Sequence, residues 1–387
     1  MTPAARVQAA IDCLNRIFAG DAAEQVLTGW ARSSRYAGSK DRAAVRDHVF
    51  DALRCRRSFA ALGGGEDGRS VMLGALREAG TDPATLFTGQ GHAPAPLSAD
   101  ELAAGRAPEE AEAADLPDWL WARFQESLGD EAMATAEALR HRAPVHLRVN
   151  TARLTREDAV EALAQEGIAC VVHPASPTAL EITEGARKLR NSRAYEQGLV
   201  ELQDAASQAV VDVLPLKPGM RVLDFCAGGG GKTLAMAARG GLELFAHDAA
   251  PQRLRGLEER AARAGVQVTL LGAGDLDASG PFDLVLCDVP CSGSGSWRRA
   301  PEAKWRLTPG RLDELRDIQR TILRRASGLL TNEGVLAYAT CSVLREENIE
   351  QMERFTSEFS TFETGVVQSW PVSGGTDGFF TAHLSRS

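Results

Sequence analysis

Apolar positions at helical spacing open the chain. Val7, Ala10, Ile11, Leu14 and Ile17 recur between Ala5 and Phe18, and the pattern returns from Ala43 to Leu53 after Ser39, a residue type that caps helix N-termini. The first seventy residues therefore read as a helical domain. Gly63 to Gly68 interrupts it, and Gly89 to Asp115 is rich in Pro, Ala and Glu without periodicity, which reads as a linker. A helix from Trp119 to Leu128 then leads to the apolar-polar run His146–Asn150, a helix from Arg156 to Glu166, and a further run at Ile168–Val172. These make a small α+β module.

Beyond residue 200 the pattern changes to short apolar runs at Arg221–Phe225, Glu243–His247, Gln267–Leu271, Asp283–Cys287 and Val335–Ala339, separated mostly by helical stretches. Strands alternating with helices predict a parallel sheet covered on both faces, with ligands at the carboxyl ends of its strands near the point where strand order reverses. The expected borders are 1–75 for the helical domain, 76–115 for the linker, 116–200 for the module and 201–387 for the α/β domain.

Composition narrows the class. The 387 residues hold no apolar run near the length of a membrane span, and Asp12 interrupts the N-terminal pattern, which argues against a signal peptide. The seven cysteines are scattered without a Cys-x-x-Cys pair, and Cys287 and Cys291 have poor zinc spacing, so free thiols in a reducing, cytoplasmic setting and no metal are expected. A net charge of −9 argues against a protein that coats nucleic acid generally, though a local basic groove stays open.

The first α/β strand runs into DFCAGGGGKT, Asp224 to Thr233. A phosphate-binding loop needs a glycine where this chain has Cys226, and the dinucleotide fingerprint would put its third glycine on Thr233 or Leu234. Both nucleotide readings fail by one residue. What remains is a strand ending in an acid, a glycine turn that lets backbone approach a ligand, and a helix from Thr233 to Arg239. Acids also close the next strands: Asp248 the second, Asp275 after the third, Asp288 the fourth. One such acid is ordinarily a turn or a cap. Four in succession suit a nucleoside without phosphate: Asp248 on the ribose, Asp275 on the adenine edge, Asp224 and the glycine turn around a zwitterionic tail. S-adenosylmethionine is such a ligand.

Cys291, in DVPCSG, follows the fourth strand and Cys341, in TCS, the fifth. If those strands are neighbours, both thiols stand over the cofactor's rim. A methyl donor beside two thiols suggests carbon 5 of a pyrimidine, which reacts only after a thiolate has added at carbon 6. Cys13, Cys55, Cys170, Cys226 and Cys287 read as inert packing.

Together DFCAGGGGKT, DVPCSGSGSWRRAPEAKW and YATCSVLREENIEQ resemble motifs I, IV and VI of the RNA cytosine-5 methyltransferases, with bacterial ribosomal RNA members among them. The resemblance is strong from Gln203 to Leu384 and extends to HLRVNT at 146–151, similar to that family's small RNA-binding module. It also reaches SKDRAAVRDHVFDALR at 39–54, similar to a NusB-like helical domain. It implies a Rossmann-like class I methyltransferase domain behind the α+β module and helical domain. It further implies Cys341 as the covalent nucleophile, Cys291 as the residue that assists adduct breakdown, Asp288 on the cytosine edge and Lys232 orienting that acid. The cofactor turn would be Asp224, Cys226, Ala227, Gly228, Gly229, Gly230, Gly231 and Lys232, with Asp248, Asp275 and Asp288. In motif I the family usually carries Ala-Ala-Pro-Gly-Gly, and the proline is missing here, which loosens the loop.

For RNA, the basic clusters Arg187, Lys188, Arg190, Arg193 and Arg298, Arg299, Lys304, Arg306 stand out, the second interleaved with Trp297 and Trp305. Cations with aromatics suit phosphates and unstacked bases. Arg253 to Arg263 reads instead as a solvated helix face. The resulting expectation is a monomeric RNA 5-methylcytosine methyltransferase acting on ribosomal RNA. The same chemistry on tRNA, or an RNA-binding assembly factor with a silent methyltransferase fold, are the alternatives.

Overall fold

The structure, a computed structural model, describes residues 1–387 and divides into two units. The first comprises residues 1–142 with Trp297–Arg306, and the second residues 143–296 with 307–387.

The first unit is helical. The expected N-terminal helices span Pro3–Phe18 and Ser39–Arg54, and Ala23–Ser33, Arg56–Gly63 and Gly68–Glu78 complete the set. Ser39 is the first residue of its helix and not the cap; Asp41 instead accepts the Gly38 N–H at 3.2 Å. Val7, Ile11, Leu14, Val45, Val49, Leu53, Val71 and Met72 form the core. Helices Arg56–Gly63 and Gly68–Glu78 cross so closely that a Cβ on Gly74 would lie 1.9 Å from the Phe59 carbonyl oxygen. The segment 76–115 carries short helices at Ala99–Ala103 and Glu110–Ala113. Asp118–Leu128 and Ala132–Arg140, assigned by the sequence pattern to the α+β module, belong to this unit by their packing.

The second unit holds two sheets. Strands β1 (Val145–Val149), β2 (Ala169–Val172), β3 (Ala179–Glu184) and β4 (Val200–Leu202) form an antiparallel sheet in the order β2-β3-β1-β4, covered by helix Arg156–Gln165. Leu147, Val149, Leu163, Ile168 and Leu180 make its core. The larger sheet contains β5 (Arg221–Asp224), β6 (Glu243–Ala246), β7 (Thr269–Leu270), β8 (Phe282–Asp288), β9 (Leu330–Thr340), β10 (Phe362–Trp370) and β11 (Phe379–Arg386). Its order is β10-β11-β9-β8-β5-β6-β7. The five strands expected from the sequence are parallel; β10 and β11 add an antiparallel hairpin that the pattern did not announce. Strand order reverses at β5, which lies between β6 and β8, so the carboxyl end of β5 is the position where such sheets hold ligands.

Candidate active site

The glycine turn leaves β5 at that reversal. Phe225 N–H bonds the Leu286 carbonyl at 2.8 Å and Ala227 N–H the His247 carbonyl at 2.9 Å, so the turn is anchored on both neighbouring strands. Gly228 and Gly230 have φ of +53° and +80°, values that L side chains rarely adopt, and a Cβ on Gly230 would strike Leu257 at 2.2 Å. Helix Gly231–Ala237 starts two residues before the expected Thr233.

The strand-end acids differ in setting. Asp224 is fully buried. Its Oδ2 accepts the Thr233 hydroxyl at 2.6 Å while Oδ1 has no partner, and burial pushes its carboxyl up to about 7. Asp248, also buried, accepts Gly228 N–H at 2.9 Å and Ala250 N–H at 2.8 Å, one on each oxygen, leaving further lone pairs on both. Arg253 approaches it at 3.3 Å. Asp275 is exposed and folds back on its own loop, accepting Gly272 N–H at 3.0 Å. The Asp224 orphan oxygen and the bare turn around Gly228 and Gly229 suit a ligand with a cationic amine, as S-adenosylmethionine has.

Strands β8 and β9 are neighbours, with Asp288 opposite Ala339. The loops that follow bring the sulfur atoms of Cys291 and Cys341 to 3.4 Å, and the Ser296 hydroxyl lies 3.8 Å from the Cys341 sulfur. On the same rim Lys232, buried to 6% exposure, donates to Asp288 Oδ2 at 2.7 Å and lies over the Phe379 ring at 4.8 Å. The thiols are not equivalent. Burial, with the Cys341 contact for Cys291, raises Cys13, Cys55, Cys170, Cys226, Cys287 and Cys291, whereas Cys341 alone is lowered. The cause is the hydrogen bond with Cys291, with Ser296 and Lys232 adding to it, while burial and the Asp288 charge oppose it.

Glu347 stands inside the stretch YATCSVLREENIEQ without a role assigned to it, yet it latches the two cysteine loops. Fully buried, it accepts Ser292 N–H at 2.8 Å, the Ser292 and Ser342 hydroxyls at 2.5 and 2.6 Å, and Gln319 Nε2 at 3.0 Å. Ser342 also bonds Ser294 at 2.9 Å, and Asn348 Nδ2 holds the Ser342 carbonyl at 2.9 Å. The acid lies six residues beyond Cys341 in a run of charge, and its place in that motif was the only mark it carried.

The second basic cluster is corrected by burial. Lys304 is buried in the first unit, where its Nζ donates to the Arg54 carbonyl at 2.7 Å and burial brings its pKa down to about 8. Arg298 is buried and its carbonyl accepts Arg54 Nε at 2.9 Å, and half-buried Trp305 donates to the Leu53 carbonyl at 2.7 Å. Trp297 stacks on Phe124. Structural packing, not RNA, therefore accounts for Arg298, Lys304 and both tryptophans; Arg299 and Arg306 are exposed. Arg187, Lys188, Arg190 and Arg193 are all exposed on one segment, Ala186–Glu196, of the small module. Nor are Arg260 and Arg263 a merely solvated face, since both pair with the buried carboxylate of Glu201.

A seven-stranded sheet with this order, a glycine turn at the reversal and an acid ending the next strand define a Rossmann-like class I methyltransferase. Residues 211–385 match the family described as 16S rRNA methyltransferase RsmB/F, and residues 116–187 its ferredoxin-like domain. The chain belongs to that family. It is 34% identical to the ribosomal RNA small subunit methyltransferase B of Cronobacter sakazakii and 35% identical to that of Citrobacter koseri, in both cases over 70% of this chain and 66% of the relative, just under two thirds of its length. Among solved structures, PH0851 superposes with a TM-score of 0.75 at 23% identity, covering 100% of this chain and 99% of its own. NSun6 from Pyrococcus horikoshii with SFG superposes at 0.61 and 20% identity, covering 70% and 98%. These two similarities establish the fold.

Proposed function

We propose that the protein is a cytoplasmic, monomeric S-adenosylmethionine-dependent methyltransferase that methylates carbon 5 of a cytidine in ribosomal RNA. The observation that carries this reading is the pair Cys291 and Cys341, 3.4 Å apart beside the Lys232–Asp288 contact, with only Cys341 poised to ionise. The cofactor, held by Asp224, the turn from Cys226 to Gly231 and Asp248, supplies an electrophilic methyl group.

The chain's own residues do the rest. Cys341 adds as thiolate to carbon 6, which leaves electron density at carbon 5. Asp288, fixed by Lys232, faces the cytosine edge and accepts a hydrogen bond from its exocyclic amine, while the Lys232 ammonium beside it offsets the negative charge that develops on the ring. Once carbon 5 carries the methyl group, its hydrogen must leave as a proton; the electrons of that bond re-form the double bond and expel the Cys341 sulfur. Cys291, touching that sulfur, takes part in this second half. Exposed Arg187, Lys188, Arg190 and Arg193 provide phosphate contacts.

Bisulfite sequencing of ribosomal RNA from cells with and without the gene tests the reading. One cytidine should lose protection when the gene is deleted. Unchanged ribosomal RNA together with a lost site in tRNA would move the chemistry to tRNA, and no lost site at all would leave only an RNA-binding role.

A further inference from the structure

The small antiparallel sheet carries a cluster that the methylation chemistry does not use. His146 on β1 lies directly opposite Glu181 on β3, and His173 follows β2, its N–H bonded to Ala179 of β3 at 3.1 Å. By the two-residue alternation of strands all three side chains leave the same face. One ligand atom from each lies within 4.8 Å of the others. The two imidazoles are almost wholly buried, with ring centroids 4.7 Å apart.

His146 is the informative member. Its Nδ1 lies 3.0 Å from Asp204 Oδ2, with the Ala205 amide 3.2 Å from the same nitrogen. Its Nε2 is buried without a hydrogen-bond partner, and Glu181 Oε2 lies 4.0 Å from it. A buried polar atom left unsatisfied is costly and calls for an explanation. The tautomer in which Nδ1–H donates to Asp204 leaves the Nε2 lone pair directed outward, the arrangement that accompanies histidines bound to metals.

We propose that His146, His173 and Glu181 bind one divalent transition-metal ion of the zinc class. Two imidazoles and one carboxylate are borderline ligands that favour zinc and its neighbours over calcium or magnesium, which seek oxygen. Glu181, with 35% of its side chain exposed, leaves an entry path and a fourth position for water. Bonds of about 2.0–2.2 Å require the ligand atoms to draw together, and Glu181 has the side-chain freedom to do so. The ion would pin β1, β3 and the end of β2 to one another. Cysteine spacing could not announce such a site, because its ligands come from three separate segments; the expectation of no metal rested on that spacing alone.

The test uses the full chain with both active-site thiols replaced, Cys291→Ser and Cys341→Ser, so that their touching sulfur pair does not compete. After chelator treatment the protein is titrated with Zn2+ against a chromophoric chelator, and the bound ion is examined by X-ray absorption. One equivalent per chain with nitrogen and oxygen ligands is expected, with affinity at least about tenfold weaker in both Glu181→Gln and His173→Ala. Glu181→Gln changes a half-exposed side chain almost isosterically, so it keeps the test sound if His173→Ala misfolds. Less than one equivalent, sulfur ligation, or unchanged affinity in Glu181→Gln would overturn the site.

Discussion

The sulfur atoms of Cys291 and Cys341 stand 3.4 Å apart, and the contact divides their chemistry: it favours ionisation of Cys341 and opposes that of Cys291. Iodoacetamide should therefore label Cys341 first near neutral pH, as peptide mass spectrometry would show. Cys291→Ala removes the contact that is the largest cause of the lowered value, so Cys341 labelling should slow by about three- to tenfold at the same pH. Faster labelling of Cys291 in the parent protein would reverse the assignment.

Glu347 should matter for stability before chemistry. Glu347→Ala strands Ser292 N–H, two hydroxyls and the Gln319 amide in a buried site, at about 1–3 kcal/mol for each donor that cannot find a new partner. A net loss on the order of 3–5 kcal/mol and a melting temperature lower by about 10 °C are expected. Glu347→Gln keeps one acceptor and should lose less. If Glu347→Ala melts with the parent, the two cysteine loops are held by other means.

Asp224 links cofactor binding to pH. Burial raises its carboxyl from the ordinary 3.8 to about 7, so below that pH the free protein holds it protonated. A cationic amine on the orphan oxygen favours the ionised form, so binding expels a proton. Affinity for S-adenosylhomocysteine should therefore rise with pH, by up to about tenfold per unit, and level off above about pH 7. The effect on folding has the opposite sense: the raised value stabilises the fold at low pH and that contribution fades as pH climbs from about 4 through about 7. Calorimetry across this range checks the binding slope, and Asp224→Asn should flatten it.

The sheet and its cleft were legible because parallel strands are buried on both faces and read as apolar runs, and because Asp224, Asp248, Asp288 and the glycines mark strand ends. The hairpin β10–β11 was not, since β10 is an edge strand with Val366 and Val367 exposed and no clean alternation. Lys304 and Arg298 misled for a different reason. Charge and aromatic content look alike in an RNA groove and in a buried packing segment, and only burial separates them. Glu347 was silent because its meaning lies in the two serines it holds, one of them 55 residues earlier.

RNA binding should rest on the small module. If Arg187, Lys188 and Arg190 touch phosphates, replacing all three by Ala should lower the salt dependence of binding by about 2 in log–log slope and leave cofactor affinity unchanged. Binding isotherms at several salt concentrations decide it. Equal slopes for mutant and parent would place the RNA surface elsewhere.

Covalent catalysis gives the sharpest test of the two thiols. In the proposed mechanism the adduct at carbon 6 forms through Cys341 and breaks only after the proton on carbon 5 has gone, so the two cysteines would act in different halves of one reaction. Cys341→Ala should abolish both methylation and any protein–RNA adduct on a denaturing gel. Cys291→Ala should leave attack possible but release impaired, so a shifted band should accumulate in the presence of cofactor. Without the Cys291 contact, Cys341 is less ionised at neutral pH, so the band should build up faster as pH rises. An adduct formed by Cys341→Ala and not by Cys291→Ala would make Cys291 the nucleophile. Normal turnover in both mutants would remove covalent catalysis altogether, and with it carbon 5 of a pyrimidine as the acceptor.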